Sequence, residues 1–228
     1  MISAVDIENL YFKYRGMEEY ILGGIDLKIE QGEVLAIVGL SGNGKSTLCY
    51  ALNGIIPNTL KGELRGNIKI FDQHVKDMNR AELASKIGVV FQDPDTQLFS
   101  PTVEDEIAFG PENLCLPREE IGARIDHVLK LTGMEAYRYE NPNNLSGGEK
   151  QLIALGAVLS LEPNILVFDE AMAQIDDVGK ERIKGVVKKL KDRGKTIIMI
   201  DHDFNNLDIA HRVVLLKKGK LYDFKGEL

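Results

Sequence analysis

Residues 34–46 of the chain read Val34-Leu35-Ala36-Ile37-Val38-Gly39-Leu40-Ser41-Gly42-Asn43-Gly44-Lys45-Ser46. The first five residues are all apolar, a pattern typical of a short strand that is buried on both faces. Similar apolar runs occur at residues 165–168 and 196–200. Helical patterns lie between the three runs, at residues 46–54, 119–132, 146–161 and 178–193. Strands that alternate with helices in this way predict an α/β fold built on a mostly parallel sheet.

The regions on either side of these runs predict two additions to the sheet. Residues 5–9 and 25–30 alternate apolar and polar side chains, which predicts an antiparallel β piece beside the parallel sheet. The stretch of approximately residues 101–160 is mostly helical and follows a turn-rich segment, so we expect a helical subdomain there. No linker, repeat or low-complexity tract interrupts residues 1–228. We therefore expect a single domain without a separate C-terminal regulatory domain.

The composition is typical of a soluble globular protein. The 228 residues include 28 Lys and Arg against 35 Asp and Glu, a formal charge of −7, and 44% are hydrophobic. This acidic balance argues against a nucleic-acid partner. No apolar run approaches the roughly 18 residues that span a bilayer, and the first residues lack the basic and apolar segments of a signal peptide. Cys49 and Cys115 stand far apart, which favours reduced thiols in a cytosolic protein.

The glycine-rich segment fits the pattern G-x-x-x-x-G-K-[ST] at every fixed position, and it lies between a predicted strand and a predicted helix. Glycines let successive backbone N–H groups turn towards one point, and the helix N-terminus adds a positive dipole end, so the segment predicts a polyphosphate-binding loop. Lys45 would reach the β- and γ-phosphates, and the Ser46 hydroxyl would coordinate Mg²⁺. The alternative is a glycine-rich turn with an exposed lysine. The candidate nucleotide-binding residues here are Gly39, Leu40, Ser41, Gly42, Asn43, Gly44, Lys45, Ser46 and Thr47.

Two carboxylates, Asp169 and Glu170, follow the second apolar run. A side chain at the carboxyl end of a parallel strand points towards the crevice in which open α/β sheets bind ligands. Asp169 would contribute to the metal site through water, and Glu170 would orient and polarise an attacking water. The alternative is an acidic helix start, since Asp and Glu favour helix N-termini.

The segment Leu145-Ser146-Gly147-Gly148-Glu149 lies upstream of this acidic pair. Ser146 is a favourable helix cap, and Glu149 would complete a capping box. Two glycines directly after a cap are unusual, because glycine costs roughly 1 kcal/mol within a helix. They suit a helix N-terminus that an anion approaches closely. The segment resembles the signature motif of ABC-type ATPases, and the resemblance covers essentially the whole chain.

The resemblance implies a P-loop NTPase fold with a RecA-like parallel sheet, a helical subdomain that carries the signature motif, and ATP and Mg²⁺ as cofactors. Tyr14 would stack on adenine, and Gln92 would contact both Mg²⁺ and the membrane partner. Asp176 would lie at the seam of a dimer, and His202 would act on the γ-phosphate as the switch histidine. The alternatives are a core or edge aromatic for Tyr14, a loop amide for Gln92 and a structural histidine for His202.

The resemblance also implies two nucleotide-binding subunits that meet head to tail, either identical copies or paralogues. Ser146, Gly147 and Gly148 of one subunit would complete the γ-phosphate site built on Lys45 of the other. ATP would close this dimer, and hydrolysis would reopen it.

The closer resemblance is to the energy-coupling-factor subgroup, which powers the uptake of vitamins and transition metals in bacteria and archaea. Residues 52–57, 91–99 and 102–110 look like the corresponding segments of that subgroup. Phe99 and Phe109, with the acidic residues 104–106, would flank a groove for a coupling helix of the integral membrane subunits, near residues 92–109. The alternative is a set of ordinary amphipathic helix positions. The chain would then lie peripherally at the cytoplasmic face of the membrane, and its sequence does not reveal the solute.

The chain departs from the family pattern at several positions. Ala171-Met172-Ala173-Gln174-Ile175-Asp176 stands where Pro-Thr-Ala-Gly-Leu-Asp is usual. Glu149 replaces a more common Gln, and Leu152 replaces a usual Arg. None of these changes removes a phosphate-binding, metal-binding or water-orienting group. The rival functions are an ATPase of another transporter class, a non-hydrolysing ATP-gated interaction module, and a soluble ABC ATPase of DNA repair or translation, which carries a long coiled coil or a second cassette.

Overall fold

The computed structural model describes residues 3–173, 175–201, 207–224 and 226. The strands of the described chain are β1 (Ser3–Tyr14), β2 (Leu22–Glu30), β3 (Val34–Val38), β4 (Gly62–Ile70), β5 (Gln73–His74), β6 (Ile87–Val90), β7 (Ile165–Asp169), β8 (Thr196–Ile200), β9 (Arg212–Lys217) and β10 (Lys220–Asp223). The α-helices are α1 (Lys45–Leu52), α2 (Ile55–Asn58), α3 (Arg80–Lys86), α4 (Val103–Asn113), α5 (Arg118–Thr132), α6 (Gly147–Leu159) and α7 (Asp177–Asp192).

The strands form two sheets. The first is antiparallel and has the order β2-β1-β4-β5. The second has the order β10-β9-β3-β8-β7-β6, in which the five strands from β9 to β6 are parallel and β10 pairs antiparallel with β9. This arrangement confirms the predicted α/β fold, with its antiparallel β piece built from the N-terminal part of the chain.

Strand β3 lies between two hydrophobic cores, as its continuous apolar run predicts. Leu35 and Ile37 belong to a core that the antiparallel sheet and α1 cover. Ala36 and Val38 belong to a second core beneath α4, α5, α6 and α7. Because side chains alternate across a strand, both faces of β3 are packed, and its carboxyl end is held rigidly where the glycine-rich loop begins.

The predicted helices are present with small shifts at their ends. The largest shifts are of two residues. Helix α6 ends at Leu159 and not at Leu161, and α1 ends at Leu52 and not at Gly54, because Gly54 has a left-handed φ of 69° and starts the short α2. Helices α4, α5 and α6 pack on one another. Sequence analysis did not identify β4, β5, β6, β9 or β10. Within the described chain, the structure contains no helix that is both long and apolar enough to cross a membrane.

Candidate functional site

The phosphate loop (residues 39–46) connects the carboxyl end of β3 to the first turn of α1. A Cβ atom on Gly39 would lie 2.3 Å from the backbone oxygen of Leu216 in β9, so only glycine fits where the chain leaves the sheet. The Lys45 side chain is buried inside the curve of the loop. Its Nζ donates hydrogen bonds to the backbone oxygens of Gly39 at 2.9 Å and Leu40 at 3.3 Å. The lysine of the motif is therefore not the exposed residue of a plain glycine turn.

The phosphate loop meets the acidic pair at one edge of the parallel sheet. Lys45 Nζ lies 3.2 Å from Glu170 Oε1, and the Ser46 hydroxyl donates to Asp169 Oδ1 at 3.4 Å. Strands β3 and β7 are separated in the sheet only by β8, so their carboxyl ends open on the same crevice. The structure thus brings together two pairs of residues, Lys45 with Glu170 and Ser46 with Asp169. The partners in each pair lie more than 120 positions apart in the chain.

Glu170 has an unusual backbone conformation for a residue with a large side chain. Its φ is 51°, in the left-handed region. Its N–H donates to Ile200 O at 2.8 Å, and its carbonyl oxygen accepts from Ala173 N at 3.0 Å. Strain of this kind persists where surrounding structure enforces it and is concentrated at functional sites. The hydrogen bond to β8 therefore helps to hold the Glu170 backbone in this left-handed conformation.

Asp169 is buried at the end of β7. Desolvation by burial raises the pKa of its carboxyl above the ordinary value of 3.8, and the negative charge of Glu170 also raises it, against the lowering effects of Ser46 and Lys45. A carboxylate that is destabilised by burial gains from a nearby cation, which restores the charged form.

The oxygen atoms of Ser46 and Asp169 suit Mg²⁺, which prefers oxygen ligands and is commonly held by one or two protein groups together with substrate phosphates. Within the described residues, no group of three or more His, Cys, Asp or Glu side chains could hold a metal ion.

Tyr14 ends β1 beside the phosphate loop. Its hydroxyl lies 3.1 Å from Oγ1 of Thr47, in the first turn of α1. Its ring packs edge-on against Phe12, with ring centroids 4.9 Å apart. The aromatic ring is therefore held near the start of α1, within the reach of a nucleotide bound to the loop.

Gln92 follows β6, next to β7 in the sheet, and its side chain is exposed. Two glutamines that sequence analysis did not identify shape the loop around it. Gln97 accepts a hydrogen bond from Phe91 N at 2.8 Å and donates to Val89 O at 3.2 Å. Gln151, on α6, donates to Phe91 O at 2.8 Å. The contact between positions 91 and 151 has no local sequence signal.

The signature segment caps α6 as predicted. Glu149 Oε2 accepts both the N–H of Ser146 at 2.9 Å and its hydroxyl at 2.7 Å, which completes the capping box. The hydrogen bond from the Ser146 side chain, followed by that from Tyr137, holds the pKa of Glu149 below its usual value. Ser146 and Gly147 are exposed, so both are accessible to a second molecule.

The structure gives Gly148 a packing role that the sequence-based interpretation of the two glycines did not include. It is buried, and a Cβ on it would lie 3.1 Å from Gly179 Cα in α7. This glycine permits the close approach of α6 and α7, a packing reason separate from access for an anion. Asp176 caps α7 by accepting from Gly179 N at 2.9 Å, and it is exposed beside this contact.

His202, the predicted switch histidine, lies outside the described residues. Gln174, one of the departures from the family pattern, also lies outside them. Glu104 and Glu106 do not flank a groove as free charges: Glu104 binds Arg138 at 2.8 Å, and Glu106 is buried and accepts from Phe99 N and Ser100 N at 2.9 and 2.8 Å. Both carboxylates therefore help to order the chain around α4, and the groove for a coupling helix beside them stays a prediction.

Phe99 and Phe109 form an exposed aromatic pair. Their ring centroids lie 4.7 Å apart at an interplanar angle of 85°. The two residues are 66% and 47% exposed, among the most exposed large hydrophobic residues of the described chain. Such a contiguous apolar patch marks a candidate contact surface.

Comparison with protein families gives a match over most of the chain. A family model described as ABC transporter matches residues 22–173. An ABC transporter ATP-binding protein of Methanosarcina mazei is 44% identical over 221 residues, which are 96% of this chain and 38% of that protein. The chain thus spans well under half the length of this relative. The energy-coupling factor transporter ATP-binding protein EcfA1 of Ligilactobacillus salivarius is 40% identical, over 97% of this chain and 77% of that protein.

Comparison with solved structures gives a similar result. The structure of cbiO1 from Clostridium perfringens, described as part of the ABC transporter complex cbiONQ, matches with a TM-score of 0.85 and 36% identity. The match covers 97% of this chain and 88% of that chain.

Proposed function

Because the chain belongs to the ABC transporter family, we propose that it binds ATP on the phosphate loop and hydrolyses it to power a membrane transporter. The observation that carries this proposal is the position of Glu170, whose carboxylate lies 3.2 Å from the buried Nζ of Lys45. A phosphate-binding cation and a candidate general base thus meet at one point, which suits phosphoryl transfer to water.

Binding starts from the phosphate loop. The backbone N–H groups of the loop and the N-terminus of α1 provide the dipoles for the phosphate oxygens. Lys45 neutralises the β- and γ-phosphates, and the Tyr14 ring stacks on adenine. The phosphates compete with Glu170 for Lys45, so ATP binding releases the carboxylate towards the incoming water.

Ser46 and Gln92, with Asp169 through water, would hold Mg²⁺, which would supply positive charge to the β- and γ-phosphate oxygens. Burial of Asp169 next to Ser46 supports this assignment, since its buried carboxylate is stabilised by a cation.

Hydrolysis depends on Glu170. The carboxylate accepts a proton from water and directs the water at the γ-phosphate. Glu170 has a left-handed backbone, and its N–H donates a hydrogen bond to Ile200 O. Both features pre-organise the residue for this role. His202, which lies outside the described residues, is proposed to contact the γ-phosphate.

The active form is proposed to be a head-to-tail dimer of this chain with a second copy or a paralogue. The exposed Ser146 and Gly147, with the Gly148 backbone, complete the γ-phosphate site of the opposite subunit, and Asp176 lies at the seam. Since ATP contributes charge that both surfaces bind, ATP closes the dimer and phosphate release reopens it.

The transporter is proposed to be an energy-coupling-factor importer for a vitamin or a transition metal, with the chain peripheral at the cytoplasmic face. Similarity to EcfA1 and to cbiO1 supports this class. The exposed aromatic pair Phe99–Phe109 supports docking of an apolar coupling helix from the membrane subunits near residues 92–109.

The proposal is tested on the purified chain by measuring ATP binding and phosphate release together, with and without Mg²⁺. We expect Mg²⁺-dependent phosphate release whose rate per chain rises with protein concentration, because the site needs two subunits. Absence of ATP binding would contradict the proposal. Binding without any phosphate release in a single-turnover experiment would favour the rival ATP-gated interaction module.

A further inference from the structure

Helix α6 is fastened to the loop that follows β6 by two consecutive side chains. We call residues 91–100 the 91–100 loop. Lys150 Nζ lies 2.7 Å from Asp95 Oδ1, and Gln151 Nε2 donates to Phe91 O at 2.8 Å. These attachments lie on either side of Gln92, so the position of Gln92 is defined by α6.

The 91–100 loop is also tied to itself and to α4. Gln97 bonds to Phe91 N and to Val89 O, which closes the first part of the loop into a compact turn. At its other end, Phe99 N and Ser100 N donate to the buried carboxylate of Glu106. Hydrogen bonds therefore hold the 91–100 loop at both of its ends.

Helix α6 and the far end of the 91–100 loop have different proposed functions. Ser146 and Gly147 lie at the N-terminus of α6, one turn before Lys150 and Gln151. Phe99 lies at the far end of the loop and packs against Phe109 on α4. If α6 shifts when its N-terminus binds phosphate, Gln92 and the exposed aromatic pair would therefore move with it.

We infer that Lys150 and Gln151 are positioning residues that transmit the nucleotide state sensed at Ser146–Gly147 to Gln92 and to the Phe99–Phe109 surface. This inference rests on the proposed ATP-driven dimer. Neither residue touches nucleotide in this account; each acts through the 91–100 loop. The physical basis is a continuous set of directional contacts, and its use as a coupling element requires a direct test of coupling.

The Lys150–Asp95 pair offers that test, because its charges can be exchanged. The side chain of Asp95 is 61% exposed and that of Lys150 16%, so Asp95→Lys should leave the chain folded, and urea unfolding checks the folding of the variants that carry Lys150→Asp. The variants are Asp95→Lys, Lys150→Asp and the two together. The matched control is Asp126→Lys, which reverses an aspartate that is 68% exposed and paired with Arg138 on another part of the helical region.

The measurement is amide hydrogen exchange of peptides that cover the 91–100 loop, with and without MgATP, in a Glu170→Gln background that retains ATP. ATP should slow exchange in the loop about fivefold or more in the parent, the usual lower range of coupling between sites. Each single reversal should lose this response while ATP binding and dimerisation, measured separately, persist. The double reversal should restore the response, and the Asp126→Lys variant should keep it.

A second pair of variants tests Gln151 independently of charge. Gln151→Met removes the donor to Phe91 O with little change in volume and should lose the loop response, whereas Gln151→His retains an N–H donor and should keep part of it.

The inference is overturned if the single reversals respond to ATP as the parent does, or if the double reversal fails to restore a lost response. It is also overturned if the parent binds ATP and dimerises without any change in the loop. Failure of the parent to bind ATP at all would instead contradict the proposed function itself.

Discussion

The Lys45 ammonium group and the Glu170 carboxylate form an ion pair at 3.2 Å, with only 5% of the Lys45 side chain and 19% of the Glu170 side chain exposed. The pair joins the phosphate loop to the residue after β7 across the carboxyl edge of the sheet. It places a cation for the substrate beside the group proposed to activate water. In the proposed reaction, the nucleotide phosphates and Glu170 would therefore share or exchange this cation.

Replacement of Lys45 by Ala should weaken ATP binding. A hydrogen bond to a charged group contributes about 1.5–3 kcal/mol, so the dissociation constant should rise roughly tenfold to a hundredfold. Isothermal titration with MgATP measures the change, and Lys61→Ala, which removes an exposed lysine bonded to Asn58 O, is the control for loss of charge. Unchanged affinity in Lys45→Ala would contradict the phosphate role of the loop.

Tyr14 should contribute to ATP affinity through its ring and not through its hydroxyl. Base–aromatic stacking is worth about 1–3 kcal/mol by truncation, so Tyr14→Ala should weaken ATP binding by roughly fivefold or more. Tyr14→Phe keeps the ring and removes only the contact with Thr47, so its affinity should stay close to that of the parent. Equal losses in both variants would assign the effect to the hydroxyl and to packing of α1.

Ionisation of Asp169 should lower the stability of the ligand-free chain near neutral pH. Its pKa is raised in the folded state, chiefly by burial, so the folded state binds the proton more tightly than the unfolded state does. The cost to stability is fully present above the folded pKa and disappears as the pH falls towards the ordinary value of 3.8.

The measurement is urea unfolding of Asp169→Asn and the parent over a pH series. The variant should have the larger free energy of unfolding near pH 7, by an amount that shrinks as the pH is lowered. Asp223→Asn, at an exposed position, controls for the loss of one negative charge. A variant that is less stable than the parent near pH 7 would show that the Ser46 and Lys45 contacts outweigh burial.

Glu149→Gln should strengthen the ATP-closed dimer. The Glu149 carboxylate accepts both polar hydrogens of Ser146 and places a negative charge beside the proposed site for phosphate. A neutral amide removes that repulsion, and the gain for an exposed charge is up to about 1 kcal/mol, which corresponds to roughly fivefold tighter association.

Sedimentation velocity of Glu149→Gln and the parent with MgATP, both in the Glu170→Gln background, measures this effect. Glu140→Gln removes an exposed charge just upstream of the signature segment and should leave the dimer unchanged. A weaker dimer in Glu149→Gln would mean that the capping box matters more than the charge.

The parts of the site that could be predicted from sequence are those with local signals. The loop at residues 39–46, Asp169 and Glu170 stand directly after continuous apolar runs, so their strand-end positions follow from the neighbouring residues. The capping box of Ser146 and Glu149 is also local, since the partners are three residues apart. The positions of these residues relative to one another in the fold follow from the parallel sheet.

The contacts that could not be predicted join distant parts of the chain. Gln151 reaches Phe91 across 60 positions, and the burial of Gly148 depends on Gly179 in another helix. Strand β6 was not identified because four apolar residues after a helix have no clear period. The acidic residues 104–106 were interpreted from their charge, whereas the structure uses Glu106 to order Phe99 and Ser100 through backbone hydrogen bonds.

The central claim is that Glu170 activates water for hydrolysis of ATP bound at Lys45. The most direct measurement compares ATP binding and phosphate release in Glu170→Gln and the parent. We expect the variant to bind MgATP as tightly as the parent and to release phosphate more slowly by a factor of about 100 or more, a loss of roughly 3 kcal/mol of transition-state stabilisation. Phosphate release by Glu170→Gln at the rate of the parent would contradict it.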